Sequence, residues 1–108
     1  MVSRTVFVHA SPEKVVNQSE QVFKRFGWKL WTVDRSKGTI EAGTRPTWLS
    51  WGEKVIVRLT RDSNGTTVTI SSVPSGQLFD WGKSEANVKR FTEELENELR
   101  PQPGIRGP

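Results

Sequence analysis

The sequence contains no cysteine, which removes disulfides, thiolate metal sites and thiol catalysis together. It has a single histidine, His9, and a lone imidazole with no cysteine beside it builds neither a metal cluster nor a catalytic triad. No apolar run approaches the roughly 18 residues that a membrane span needs. The first ten residues alternate like a strand and carry no signal-peptide apolar segment, so a cytoplasmic location is the expectation. The glycines at 38, 76 and 82 lack the spacing of a phosphate-cradling loop. These absences leave little for an enzyme to work with. The expectation is a protein without catalytic residues, bound metal or cofactor.

What the chain does have is aromatic bulk and uneven charge. Only 33% of the 108 residues are hydrophobic, yet five tryptophans and five phenylalanines can build a core from few positions. The length suits one domain, expected over residues 1–100. Residues 101–108 hold three prolines and two glycines and read as a disordered tail. The net charge is +4. Residues 24–61 carry nine basic side chains against three acidic ones, whereas residues 84–100 carry three against five. A basic middle and an acidic final segment can attract each other within the fold, or draw anionic partners from outside.

Thr5-Val6-Phe7-Val8 has the β-branched and aromatic content of a strand. Ser11-Pro12-Glu13 then starts a helix with a cap, a tolerated proline and an acid at the positive end of the dipole. Val15, Val16, Ser19, Val22, Phe23 and Phe26 recur at helical spacing, and Gly27 closes the helix. Residues 28–33 and 39–44 form a hairpin across the polar turn Asp34 to Gly38. Residues 54–60 and 66–72 form a second, across Asp62-Ser63-Asn64-Gly65. Ser84 stands where it can cap a last helix with Val88, Phe91, Leu95 and Leu99 on one stripe, stopped by Pro101. The order β-α-β-β-β-β-α predicts an α+β fold, an antiparallel sheet with both helices packed on one face. The other face would carry Lys54, Ile56, Arg58, Thr67, Thr69, Ser71, Glu41 and Arg45, a mixed surface suited to water or a polar partner.

Two Trp-Gly turns punctuate this order: Trp48-Leu49-Ser50-Trp51-Gly52-Glu53 and Leu78-Phe79-Asp80-Trp81-Gly82-Lys83. One precedes the strand expected at the core and the other the last helix, so the two junctions are expected to meet. Both turns, the Ile40-Glu41-Ala42 strand end, the Thr-rich run of residues 66–72 and Asn87-Val88 together resemble an uncharacterised bacterial domain family of unknown function. The element order also looks like TATA-binding-protein-like and helix-grip folds, in which a helix lies across a curved sheet. Neither resemblance brings an activity with it.

A non-catalytic binding module is therefore the leading expectation, with a protein or a small apolar ligand as partner. Its surface would lie at the Trp-Gly turns: Arg45, Trp48 and Leu49 as contact residues, Trp51 and Trp81 lining a groove or holding the turns together. Glu53 and Asp80 border those turns, and either bond turn amides or pair with Arg45 and Lys83. The alternative is single-stranded nucleic-acid binding, since Lys29, Trp31, Arg45, Trp48 and Arg58 interleave cations with rings. Against it, the central strands lack an RNP-like aromatic motif.

Overall fold

The computed structural model describes residues 2–44, 52–74 and 83–100. Along the chain run β1 (Val2–Val8), α1 (Pro12–Phe26), β2 (Lys29–Asp34), β3 (Thr39–Gly43), β4 (Glu53–Asp62), β5 (Gly65–Pro74) and α2 (Lys83–Leu99). The expected β-α-β-β-β-β-α order holds. All strands join one antiparallel sheet in the order β1-β5-β4-β3-β2. That strand order is not readable from the sequence. From β2 to β5 each strand pairs with the next in the chain, and β1 joins as an edge strand beside β5.

Local chemistry explains the first helix. The Ser11 hydroxyl accepts the Lys14 amide at 3.2 Å, and Pro12 opens the first turn where its missing N–H costs nothing. Gly27 sits at φ 74°, donating to the Lys24 carbonyl while the Trp28 amide donates to that of Phe23. This doubly bonded glycine cap ends the helix and turns the chain into β2. Val15, Val16, Ser19, Val22 and Phe23 form its buried face.

Both helices cover one face of the sheet. Val8, Val68, Ile70, Val55, Val57, Ile40 and Ala42 point inward from the strands, and Val88, Phe91 and Leu95 meet them from α2. Phe91 stacks on Phe23 at 4.9 Å and on Trp28 at 6.1 Å between ring centroids, which joins both helices to the entry of β2. Arg25 on α1 pairs with Glu94 and Glu98 on α2, so part of the attraction between basic middle and acidic helix acts inside the fold. No helix among the described residues is long and apolar enough to cross a membrane.

The other face is open, as the alternation predicts. Ser3 bonds Ser71 and Thr5 bonds Thr69 through their hydroxyls across β1 and β5, and Lys54 pairs with Glu41 at 3.2 Å. Arg45, expected on this face, lies outside the described residues.

Candidate functional site

The described residues that bound the two Trp-Gly turns come together at one end of the sheet. Thr44, after β3, donates its amide to the Glu53 carbonyl at 2.9 Å, and its hydroxyl accepts the Glu53 amide at 2.8 Å. Across the next ladder Glu53 stands opposite Pro74, the last residue of β5. The starts of β4 and α2 meet through Glu53, which accepts the Ser84 hydroxyl. Arg45, Trp48, Leu49, Trp51 and Trp81, and with them Asp80, lie outside the described residues.

Glu53 points inward from the first position of β4 and is 1% exposed. Its Oε1 accepts the Ser72 hydroxyl from β5 and the Ser84 hydroxyl from α2, each at 2.7 Å, with the Asn87 side-chain amide at 3.4 Å. Its Oε2 is buried without a hydrogen-bond partner among the described residues. The two oxygens of one carboxyl group thus differ: one binds two strands and a helix together, the other is left as an unused acceptor. The first turns of α2 supply Ser84 and Asn87, and the positive end of that helix suits an acidic neighbour.

This arrangement departs from the sequence-based expectations in two places. Those expectations have Glu53 bonding turn amides or pairing with Arg45 or Lys83; its described side-chain partners are two hydroxyls and an amide from other elements. They also have Ser84 capping α2. The helix instead begins at Lys83, and the Ser84 hydroxyl donates to the buried carboxyl group of Glu53 and not to a backbone acceptor. Ser72, Ser84 and Asn87 escape the sequence as a set. A signal for them exists: Ser72 continues the inward stripe Val68-Ile70, and Ser84 and Asn87 lie on the helix face of Val88 and Phe91, so three polar groups interrupt apolar faces.

His9 lies at the other end of the sheet, exposed and edge-on to Phe7 at 5.0 Å. Among the described residues no group of three or more His, Cys, Asp or Glu side chains is arranged to hold a metal ion.

No family model matches the sequence, and neither does any curated protein. Solved structures do share the fold. Protein MLL2253 from Mesorhizobium loti superposes with a TM-score of 0.68 at 15% identity, over 91% of this chain and 95% of that one. The Aha1 dimer from Colwellia psychrerythraea gives 0.67 at 17%, over 96% of this chain and all of its own. The di-domain aromatase/cyclase StfQ of the steffimycin biosynthetic pathway gives 0.67 at 10%, over 92% of this chain but only 45% of that one. At these identities the likeness is one of fold. The chain has the helix-grip fold, with α2 lying across β1 and β5.

Proposed function

We propose that this chain is a non-catalytic binding module whose site lies where β4 and α2 begin, under the two Trp-Gly turns. The observation that carries the reading is the unpartnered Oε2 of Glu53. A buried polar atom is normally satisfied, because leaving it bare costs roughly 1–3 kcal/mol. An acceptor held bare by three donors on its sister oxygen is preset for a donor that arrives from outside.

The proposed partner is a small, largely apolar molecule, or a protein side chain, that brings one N–H or O–H to Oε2. Arg45, Trp48, Leu49, Trp51 and Trp81 are proposed to line its approach, with apolar contact from the rings. The helix-grip fold supports this, since it places a helix over a sheet and leaves its ends to loops. The non-catalytic half of the reading rests on the company Glu53 keeps. Two hydroxyls and an amide all donate to it, and the single histidine stands at the far end of the sheet.

A fragment set of small aryl amines and amides, titrated into nitrogen-labelled protein, tests it. Binders should move the signals of Ser72, Ser84 and Asn87 and should weaken at least tenfold against Glu53→Gln, whose amide replaces one acceptor. No binder, or binders indifferent to Glu53→Gln, would overturn the site. Trp48→Ala should keep the fold and lose those binders; if it unfolds, Trp48 belongs to the core and not to the approach.

A further inference from the structure

The open face of the sheet carries an irregularity at Trp31. The pairing of β2 with β3 slips by one residue between Leu30 and Thr32, so Trp31 is the extra residue of a β-bulge. Leu30 pairs with the inward Ala42, Thr32 with the outward Glu41, and Val33 returns to the core opposite Ile40. Without the slip, Thr32 would face Ile40 and Val33 would face the open side. The bulge restores Val33 to the interior and leaves Trp31 on the outer surface, the kind of re-aiming for which such irregularities are kept.

The indole has a seat there. Gly43 is buried beneath it, and a Cβ at that position would run into Cζ2 of Trp31. One side of the ring therefore lies against bare backbone, while the side chain as a whole stays 48% exposed. Gly43 pairs with Lys29 on one side and Lys54 on the other, so the ladder places a lysine on each flanking strand of the tryptophan's seat. Arg58 continues the positive track about 13 Å further along β4 on the same face. Glu41 holds Lys54 at 3.2 Å, but that pair is more than a third exposed on the lysine side and gives way readily to a stronger anion.

We infer that this face binds single-stranded nucleic acid, with one base stacked on the free side of Trp31 and backbone phosphates on Lys29, Lys54 and Arg58. A flat aromatic face held in place before binding takes an unstacked base with little further ordering of its own. A duplex offers no free base face to it. The net charge of +4 favours a polyanion, and the two lysines put positive charge beside the ring. This is the outer side of the sheet, away from Glu53, and owes nothing to the site proposed there.

The test is a titration of labelled protein at low salt with a short mixed-sequence single-stranded RNA, followed at the Trp31 indole N–H. That signal should shift, and Trp31→Ala should bind roughly 5- to 150-fold more weakly. Lys29→Gln and Lys54→Gln, both on the surface and harmless to folding, should each flatten the dependence of log affinity on log salt by about 1. A silent indole overturns the inference, as does an RNA affinity that Trp31→Ala or the lysine variants leave unchanged. An indole that shifts on concentrating the protein, and not on adding RNA, would give the face to a second copy of the chain and overturn it too.

Discussion

Glu53 joins two strands and a helix through one oxygen and leaves the other without a partner among the described residues. Glu53→Ala should destabilise the protein by roughly 2–4 kcal/mol in urea unfolding, because the Ser72 and Ser84 hydroxyls lose a shared acceptor and a void replaces the carboxyl group. Glu53→Gln keeps an oxygen in the place of Oε1 and should cost less than half as much. Equal losses would mean that Oε1 does not tie the elements together. Two other buried oxygens, Ser19 Oγ on α1 and Thr92 Oγ1 on α2, lack partners among the described residues and join no elements. Ser19→Ala should therefore be neutral or stabilising, by up to about 1 kcal/mol, since it removes an unsatisfied hydroxyl and gains helix propensity. Asp34 behaves differently at the surface. The Ser36 hydroxyl and then the Lys37 amide bond its carboxylate and hold its pKa below the ordinary aspartate value. A depressed folded pKa gives stability that is present above the unfolded pKa and disappears as pH falls through the folded one. Asp34→Asn should flatten the acid limb of the stability profile over that window and leave neutral pH little changed.

At the scale of elements, periodicity tells faces but not neighbours. The stripes of both helices, the two hairpins and the inward set Val55, Val57, Val68 and Ile70 are legible because each is a repeat of 3.6 or 2 against a polar background. β1 beside β5 is not, because alternation says which way a side chain points and is silent on which strand lies alongside. The bulge is hidden for a related reason. Leu30-Trp31-Thr32-Val33 has three bulky apolar residues in four positions, so it contains no alternation from which a slip could be detected. The candidate site is legible in part: its acid stands out by its place beside a Trp-Gly turn, while the serines and asparagine that grip it come from elements that only the fold brings together. Gly43→Ala examines the bulge directly. Its Cβ collides with the Trp31 ring, which lies on the open face and can swing away. The loss of stability should stay near about 1 kcal/mol, while the Trp31 indole signal moves toward that of a solvated tryptophan. A much larger loss would show that the ring is part of the packing and not a platform on it.

The whole molecule is held by one apolar layer between the helices and the sheet, and its middle is aromatic. Phe91 is fully buried, with Phe23 and Trp28 stacked on it, so a single side chain on the last helix touches the first helix and the start of the hairpin strand. β1 and α2, at opposite ends of the chain, also meet here, because α2 packs on β1 and β5. Completing the sheet and docking the helix should therefore be one event: β1 gains its neighbour β5 from a distant part of the chain, Val8 lying opposite Thr66, and both strands are covered by α2. Phe91→Ala should therefore cost about 3–5 kcal/mol, a large share of the roughly 5–15 kcal/mol that a domain commands. It should do so everywhere at once. Far-ultraviolet dichroism, which reads helix and strand, and near-ultraviolet dichroism, which reads the packed rings, should fall along the same urea curve at a lower midpoint. If ring packing were lost first while the sheet persisted, α2 would be a separable lid on a self-sufficient sheet, and the Glu53 site at its first turn would open and close without unfolding.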